Sequence, residues 1–293
     1  MAATERVAPA DRITMSTIPQ GIGLGLRVDM AQAFLEAKPD DVAFVEVHPE
    51  NYVARGGRYR QNLARAQDLY PVLTHGLTTC FGQLEPFDAT YLAQLKRFLA
   101  DVDTPWHSDH LCFGGAGGAF AHDLLPIPFT DEALDTVTQR FTEVRDAIDR
   151  ELAFENVSYY APMSADPLDE ARFCVEVLER ADAKLMLDVN NVFVNSRNFG
   201  FDPKAWIDLV PPERVVQMHV AGHLVRDDGL RIDTHGEPIP EGVYELLDYT
   251  LRRTGPRPVL LERDNNIPSL GELLAEVRRL NAIYRDAVGE EAA

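Results

Sequence analysis

Short apolar runs alternate along this chain with longer segments in which apolar residues recur every three or four positions. A short continuous apolar run is typical of a strand buried on both faces, and the longer spacing is typical of an amphipathic helix. Eight runs of the first kind are each followed by a segment of the second kind. This alternation predicts an α/β fold with a parallel sheet, and the repeat count predicts a closed (β/α)8 TIM barrel. An open doubly wound sheet is the alternative, but it would not bring all the strand ends to one centre.

The predicted elements follow one another without a linker or a change in composition. The predicted strands lie within residues 21–27, 42–48, 71–77, 104–112, 151–158, 184–192, 215–220 and 257–264. The predicted helices span 29–38, 59–70, 88–102, 130–150, 166–181, a short segment from Pro203, 240–254 and 268–287. Asp88 is the expected N-cap of the third helix, and Asp166 with Pro167 is the expected start of the fifth. We expect a flexible N-terminal tail over residues 1–19 and a single barrel domain over residues 20–288.

Two further segments are predicted to be loops. The glycine-rich sequence from Phe113 to Asp123 contains Gly114–Gly118 and His122, and it is expected to be mobile. The segment that carries Asn195 and Asn198, between the sixth strand and the helix from Pro203, is also expected to be a loop.

Length and charge restrict the class of protein. A chain of 293 residues has the size at which α/β barrels are commonly undivided. Its net charge of −19, from 28 basic and 47 acidic residues, should repel nucleic acid and acidic membranes. No apolar run reaches the roughly 18 residues of a membrane helix, and the N-terminal segment has charges where a signal peptide would be apolar. The three cysteines, Cys80, Cys112 and Cys174, have no metal-like spacing, which fits a reducing compartment. We therefore expect a cytoplasmic protein with neither a nucleic-acid nor a membrane partner.

Histidines and carboxylates collect at the predicted strand ends. The eight histidines all lie there or in the loops that follow: His48, His75, His107, His110, His122, His219, His223 and His235. Carboxylates occupy matching positions at Asp109, Glu155, Asp188, Asp233 and Glu262. In a (β/α)8 barrel these positions meet at one mouth. Gathering so many charges in a partly buried mouth is costly unless cations are bound, so the pattern favours a multinuclear metal site over separate salt bridges and helix caps.

The candidate ligands narrow the choice of metal. No cysteine is among them, which disfavours a thiolate zinc site or an iron–sulfur cluster. Histidine mixed with carboxylate suits non-haem iron, manganese or zinc. The ligand types alone do not choose among these three metals.

Eight ordered motifs resemble those of the DUF692 (UPF0276) family. In chain order they are FVEVHPENY, THGL, SDHLCFGG, ENVSYY, LDVNNVFVNSRNFGFD, QMHVAGH, DTHG and LLERD, and they span roughly residues 20–280. The family consists of multinuclear non-haem iron-dependent oxidative enzymes and includes the methanobactin-biosynthesis oxidase. The resemblance implies a barrel of the xylose-isomerase-like kind with two or three iron ions in mixed Fe(II)/Fe(III) states. It also implies dioxygen as the co-substrate.

The resemblance further implies a substrate and the roles of individual residues. The substrate would be a ribosomally synthesised, Cys-containing precursor peptide whose cysteines are oxidised, presented by a partner protein encoded nearby. Matched motif by motif, the iron ligands would be His48, His75, Asp109, Glu155, Asp188, Asn191, His219, Asp233, His235 and Glu262. Residues that contact these ligands or the substrate would be His110, Asn156, His223 and Arg263. A salt bridge at the barrel rim explains Arg263 equally well.

Three other functions use comparable features. A zinc phosphodiesterase could share the barrel and ligand types, but binding a DNA backbone requires a basic face, which the charge of −19 disfavours. A sugar isomerase with two divalent ions should have a lysine near the metals, and none of the strand-end motifs contains one. A non-catalytic metal-binding or peptide-binding protein is the third alternative.

Overall fold

Eight parallel strands close into a barrel in the computed structural model of the protein. The structure describes residues 18–116 and 119–289, and the side chains of residues 116 and 119–122 lie outside this description. Each barrel strand pairs with the strands before and after it in the chain. The first strand also pairs with the eighth, where Ile22 lies opposite Val259. The predicted (β/α)8 architecture is therefore confirmed.

The bounds of the elements are as follows. The barrel strands are Ile22–Gly25 (β1), Phe44–Val47 (β2), Val72–His75 (β3), Trp106–His110 (β4), Glu151–Glu155 (β5), Lys184–Asp188 (β6), Val215–Val220 (β7) and Val259–Leu261 (β8). The helices are Val28–Ala37 (α1), Arg58–Gln67 (α2), Ala89–Val102 (α3), Asp131–Ile148 (α4), Asp169–Arg180 (α5), Val189–Phe199 (α6), Pro203–Leu209 (α7), Glu241–Thr254 (α8) and Leu270–Val288 (α9). Short 3-10 turns cover Pro49–Asn51 and Pro212–Arg214. Two antiparallel hairpins stand outside the barrel, Phe113–Ala116 with Ala119–Leu125 and Leu224–Val225 with Arg231–Ile232.

The structure tests the two predicted helix starts, at α3 and at α5. The Asp88 side chain accepts a hydrogen bond from the Thr90 N–H, so the predicted cap of α3 is confirmed. Helix α5 begins at Asp169, three residues after the predicted cap. Asp166 instead accepts the N–H of Leu168 and closes a turn before the helix, which delays the helix start.

The segment predicted to be a loop around Asn195 and Asn198 is helix α6. Asp188, the last residue of β6, caps this helix by accepting the N–H of Asn191 at 2.5 Å. Asparagine disfavours helix interiors because its side chain competes for nearby backbone groups. Here the asparagine side chains bond to neighbouring loops instead, so the prediction of a loop was wrong.

The glycine-rich segment forms one of the hairpins rather than a loop. Residues 113–116 and 119–125 pair as antiparallel strands, while Gly117 and Gly118 lie outside the described residues. Residues 1–17 of the predicted tail lie outside them as well. The proposed boundary between tail and barrel thus stays a prediction. Within the described part of the chain, no helix is long and apolar enough to cross a membrane.

The barrel interior is apolar at its base and polar at its mouth. Four buried side chains fill the base: Phe44, Leu73, Trp106 and Leu260. Burying each of these large side chains stabilises the fold by roughly 1.5–3 kcal/mol. Successive strand residues point to opposite faces, so positions two residues further along each strand face the same axis. From the base, these steps of two lead to Glu46 and His48, to His75, to Ser108 and His110, and to Glu262 and Asp264.

A buried carboxyl group stabilises the wall on the side of α5 and α6. Glu170 is 4% exposed and accepts hydrogen bonds from Trp206 Nε1 at 3.2 Å and from Asn195 Nδ2 at 3.3 Å. Burial raises the pKa of Glu170 to about 8, although the hydrogen bonds from Trp206 and Asn195 oppose this shift. The folded protein therefore holds a proton that the unfolded chain would release near pH 4.5.

This proton predicts a pH-dependent stability. Between the unfolded pKa near 4.5 and the folded pKa of about 8, rising pH favours the unfolded chain. Glu170→Gln removes the titrating group, so its stability relative to the unaltered protein should improve as pH rises from 5 to 8, by up to about 1.4 kcal/mol per pH unit. Urea denaturation of both chelator-treated proteins at several pH values measures this difference. A difference that stays constant over that pH range would contradict the assignment.

Candidate metal centre

Three donor atoms from β3, β4 and β5 converge near the barrel axis. They are Nε2 of His75, Nε2 of His110 and Oε2 of Glu155. The two nitrogens are 3.2 Å apart, and each is 3.1 Å from the carboxylate oxygen. Ligands bound at about 2.1 Å to one ion lie roughly 3.0–3.4 Å apart in octahedral or tetrahedral geometry. The triangle therefore already has the spacing of a metal coordination sphere.

The outer nitrogens of both imidazoles are held by protein groups. Nδ1 of His75 is 2.9 Å from the Ser108 hydroxyl, and Nδ1 of His110 donates to Asp109 Oδ1 at 3.1 Å. Asp109 also accepts the backbone N–H of Thr79 at 2.7 Å and is bonded to the Thr79 hydroxyl. Such partners fix the ring orientation and leave Nε2 free to bind a metal.

A second group shares Glu155 with the first. It consists of Glu155, Asp188, His219 and Glu262, all buried at the ends of β5 to β8. Nδ1 of His219 is 3.0 Å from Glu262 Oε2 and 3.8 Å from Glu155 Oε1. Because each carboxylate has two oxygens, Glu155 could contact an ion in either group.

The opposite side of His219 is anchored deep in the barrel. Its Nε2 lies 3.1 Å from Glu46 Oε2, and the same oxygen accepts from Gln217 Nε2 at 2.5 Å. Gln217 in turn accepts from Trp106 Nε1 at 3.0 Å, which links the chain to the apolar base. A carboxylate behind a ligating histidine is the usual device for orienting its ring and increasing its basicity.

A third group lies nearest to β1. It contains His48, Glu262 and Asp264, so Glu262 belongs to two groups. Nδ1 of His48 donates to the His75 carbonyl at 2.9 Å, which leaves Nε2 as its free nitrogen. Arg27 pairs with Glu262 at 3.0 Å and with Asp264 at 2.5 Å. This guanidinium provides a fixed positive charge beside the two carboxylates.

His235 and Asp233 extend the second and third groups towards the mouth. Nε2 of His235 is 2.8 Å from Asp233 Oδ1, and its Nδ1 is 3.2 Å from Asp264 Oδ2 and 3.4 Å from Glu262 Oε2. His235 has a φ of 49°, in the left-handed region that side chains other than glycine rarely adopt. Strained backbone of this kind concentrates at functional sites.

Some of these carboxylates are held in their protonated form. Burial raises the pKa of Glu155 to about 7, although the nearby His110 and His219 oppose the shift. Burial and the charge of Glu155 raise the pKa of Asp188 well above its usual value. Without a bound cation, Asp188 thus retains its proton, and Glu155 gains or loses its proton near neutral pH.

Other carboxylates are held ionised. Burial would raise the pKa of Glu46, but the charge and hydrogen bond of His219 and the charge of His75 together outweigh burial and lower that pKa to about 2. Burial is likewise outweighed at Glu262, whose pKa lies well below its usual value because His235 and His219 are close. The cluster thus combines buried anions with displaceable protons, the arrangement in which metal binding releases protons.

Several buried polar atoms in this centre have no hydrogen-bond partner in the described structure. They are Oε1 of Glu46, Oδ2 of Asp188 and Oδ1 of Asn191. Oε2 of Glu155 and Nε2 of His235 lie at ion-pair distance from other groups of the cluster but also lack a hydrogen bond of good geometry. Buried polar atoms are nearly always paired, so each of these needs an explanation. Together with the imidazole and carboxylate donor set, they fit a site for hard or borderline divalent and trivalent metal ions such as iron, manganese or zinc.

Helix α6 fixes the loops on both sides of the centre through four asparagines. Asn191 and Asn195, four residues apart on one face, bond to the loop after β5 through the carbonyls of Asn156 and Val157. Asn190 and Asn198 face the hairpin after β7.

On that second face, a hydrogen-bond chain reaches the metal centre. Asn190 donates to Asp233 Oδ1 at 2.7 Å and accepts from His223 Nδ1 at 2.7 Å. Nε2 of His223 accepts from Arg231 at 2.9 Å. Burial and the Arg231 charge lower the pKa of His223 to about 4, so its imidazole is neutral.

The structure brings most of the predicted site residues together and separates a few. Among the predicted ligands, Asp109 faces away from the axis and supports His110 instead, which itself belongs to the first group. Asn156 pairs with the backbone N–H and carbonyl of Asp188, both at 3.0 Å. Arg263 points to α9 and forms a salt bridge with Glu276 at 2.6 Å. A salt bridge was the alternative role expected for Arg263 from the sequence.

Four contributors to the centre were not among the predicted residues: Arg27, Glu46, Asn190 and Asp264. Glu46 and Asp264 were recognisable, because each lies two positions from a predicted ligand, His48 or Glu262, on the same strand face. Arg27 follows β1 at the mouth, where a charged residue could also have been noticed. Nothing in the sequence indicated a role for Asn190, because its contacts depend on where α6 lies in the fold.

Comparison with known proteins identifies the family. The family model described as "RiPP precursor modification enzyme MbnB/TglH/ChrH" matches residues 21–285. The chain belongs to this family. Among its relatives, a UPF0276 protein of Anaeromyxobacter sp. (strain Fw109-5) is 42% identical over 259 residues, covering 88% of this chain and 91% of the relative. A UPF0276 protein of Pseudomonas aeruginosa is 41% identical over 265 residues, covering 90% and 93%. The resemblance to DUF692 (UPF0276) is therefore confirmed.

Solved structures agree with the fold of this family member. A D-psicose 3-epimerase has a TM-score of 0.60 at 11% identity, covering 92% of this chain and 99% of the other. A xylose isomerase domain protein from Planctomyces limnophilus has a TM-score of 0.57 at 13% identity, covering 92% and 98%. At these identities the similarity establishes a xylose-isomerase-like barrel and nothing about the reaction.

Asp188 allows the metal-binding and capping roles to be separated. Asp188→Asn keeps a capping oxygen for α6 and is neutral without binding a proton, so the metal-free variant should be at least as stable as the unaltered protein. Asp188→Ala loses the cap as well and should be about 1 kcal/mol less stable than Asp188→Asn. Both variants should bind less metal. Denaturation of the metal-free proteins, with elemental analysis of the loaded ones, measures both effects; unchanged metal content in Asp188→Asn would contradict the ligand role.

Proposed function

We propose that this protein is a multinuclear non-haem iron, dioxygen-dependent oxidase that modifies cysteine residues of a ribosomally synthesised precursor peptide. The observation that carries the proposal is the sharing of Glu155 and Glu262 among three groups of histidines and carboxylates. Shared carboxylates are suited to holding several ions close together. Membership of a family of RiPP precursor modification enzymes supplies the class of substrate.

Nine residues would hold the ions under this proposal. The histidines are His48, His75, His110, His219 and His235, and the carboxylates are Glu155, Asp188, Glu262 and Asp264. Asp233 and Asn191 would complete the set from the mouth side. Iron bound there would supply the redox chemistry with dioxygen, which none of the side chains in the set can perform alone.

The remaining residues would orient the ligands and the substrate. Glu46 accepts the proton of His219 Nε2 and thereby directs Nδ1 towards the ions. Asp109 has the same role behind His110. Arg27 would balance negative charge beside Glu262, while His223 and Asn190 would hold Asp233 in place.

Exposed apolar side chains around the mouth support a peptide substrate. Six of the large apolar residues exposed in the described structure lie in loops or hairpins that follow barrel strands: Leu77, Leu84, Leu125, Tyr160, Leu224 and Val225. Exposed apolar side chains mark a surface that binds another chain when they form a contiguous patch, as we propose that these six do around the mouth. We propose that the precursor peptide crosses this rim, presented by a partner protein encoded nearby.

A sugar isomerase is a weaker candidate despite the shared fold. The chain has four lysines, at positions 38, 96, 184 and 204. Lys184 begins β6 at the base of the barrel, and the other three lie on or beside the outer helices. All four therefore lie away from the carboxyl ends of the strands, where the metal-binding groups lie.

The metal content provides one test. Protein purified without chelator should contain at least two iron ions per chain, because the donor groups are too numerous for one coordination sphere. His219→Ala, Asp233→Ala and Glu262→Ala should each lower the iron content and abolish turnover, whereas substitution of His122 should be milder. Elemental analysis measures the content. Stoichiometric zinc, with no activity after reconstitution with iron, would count decisively against an oxidase.

The reaction provides a second test. A Cys-containing precursor encoded nearby, co-expressed with this enzyme and any partner protein, should lose hydrogens in a dioxygen-dependent reaction. The Cys→Ser precursor should remain unmodified. Mass spectrometry of the peptide decides the matter: a mass change that persists after Cys→Ser substitution, or that occurs without oxygen, is incompatible with the proposal.

A further inference from the structure

Two guanidinium groups lie against one aromatic ring beside the metal centre. Cζ of Arg197 is 4.7 Å and Cζ of Arg231 is 5.6 Å from the centroid of the Phe193 ring. The same ring packs on the imidazole of His223, with 5.6 Å between centroids. It fits there because Gly242 of α8 has no Cβ, which would lie only 2.5 Å from the ring. The two cations therefore lie at the outer end of the hydrogen-bond chain that leads to the centre.

Neither cation has a carboxylate partner within ion-pair distance among the described residues. The half-buried Arg231 side chain donates from Nη1 to Nε2 of His223, and Arg197 is exposed. Acidic residues are abundant on this chain, and Arg226 of the same hairpin pairs with Asp228 at 3.0 Å. Burial and the charge of Arg197 lower the pKa of Arg231, as expected for a cation without a counter-charge.

The position of Arg231 is fixed through its backbone. The Asn198 side chain accepts the Arg231 N–H at 2.9 Å and donates to its carbonyl at 2.9 Å. Asn198 belongs to α6, the helix that also carries Phe193 and Arg197. Arg197 thus belongs to α6 and the Arg231 backbone is tied to the same helix, so both side chains extend from backbone positions that are fixed relative to each other.

We propose that Arg197 and Arg231 bind a carboxylate group of the precursor peptide, an inference that rests on the peptide substrate proposed above. A guanidinium group binds a carboxylate through two parallel hydrogen bonds. An anion between the two guanidinium groups would also reduce the repulsion between their positive charges. An extended peptide advances about 3.3–3.6 Å per residue. A carboxylate a few residues from the reactive cysteine could therefore be held at the rim while the thiol enters the centre. Its source is either the peptide C-terminus or an Asp or Glu side chain.

Three short peptides separate these sources. Acetyl-Cys-Gly-Gly with a free carboxylate carries a terminal charge, its carboxamide carries none, and acetyl-Cys-Gly-Asp carboxamide carries a side-chain charge. Binding is measured by calorimetry without oxygen, using the full chain as purified with its metal, so that no turnover occurs. At low salt, at least one charged peptide should bind about tenfold tighter than the neutral one. This preference should shrink as salt is added.

Variants then test whether the two arginines cause the preference for charged peptides. Arg197→Met and Arg231→Met should each remove most of it, whereas Arg231→Lys should keep part because the charge remains. Arg226→Met is the matched control on the same hairpin and should keep all of it, since Arg226 already has Asp228 as its partner. The affinities of the charged and neutral peptides are compared within each variant. A substitution that weakens binding of all peptides alike therefore does not change the measured preference.

Each outcome bears on the proposal in a defined way. A neutral peptide that binds the unaltered chain as tightly as both charged ones, or a preference kept in both Arg→Met variants, overturns the carboxylate site but not the peptide oxidase. Charged peptides that bind with the expected preference, while the precursor co-expressed with its partner protein stays unmodified, support the carboxylate site and contradict the oxidase. Failure of all three peptides to bind overturns the carboxylate site but not the peptide oxidase.

Discussion

The mouth of this barrel depends on two buried carboxylates, Glu155 and Glu262, each of which faces imidazoles from several strands. Both are nearly excluded from solvent, at 2% and 4% exposure. An unpaired charge in such surroundings costs several kcal/mol. It must therefore be offset by protons, by imidazolium groups or by metal ions. This requirement explains the contacts of Arg27, Glu46 and the asparagines of α6. These residues hold the charged groups in place and leave oxygens and nitrogens directed at the same space.

The apolar residues that stabilise the barrel and the polar residues of the candidate metal centre lie at different levels along the barrel axis. The apolar base of Phe44, Leu73, Trp106 and Leu260 closes the interior, and two residues further along each strand the side chains become polar. Trp106 connects the layers through Gln217 to Glu46 and so to His219. A change at the base would therefore reach the centre through defined hydrogen bonds rather than through general loosening.

The fold could be predicted from the apolar runs because burial on both faces gives each barrel strand an unambiguous pattern. The general location of the site also followed, since strand ends meet at one mouth. The individual residues that differ between the predicted and the observed cluster follow from the two-residue period of a strand, which was not applied to the sequence. That period places Glu46 and Asp264 on the axis-facing side with His48 and Glu262, and it places Asp109 and Arg263 on the opposite side. Helix α6 could not be inferred in this way, because its asparagines become compatible with a helix only when neighbouring loops occupy their side chains.

The central claim is that several metal ions share Glu155 and Glu262. Anomalous diffraction at the iron absorption edge, from crystals of the protein reconstituted with iron, tests it most directly. At least two separate iron peaks are expected. One should lie between His75, His110 and Glu155, and another beside His219 and Glu262. A single peak, or peaks that contact neither shared carboxylate, would contradict it.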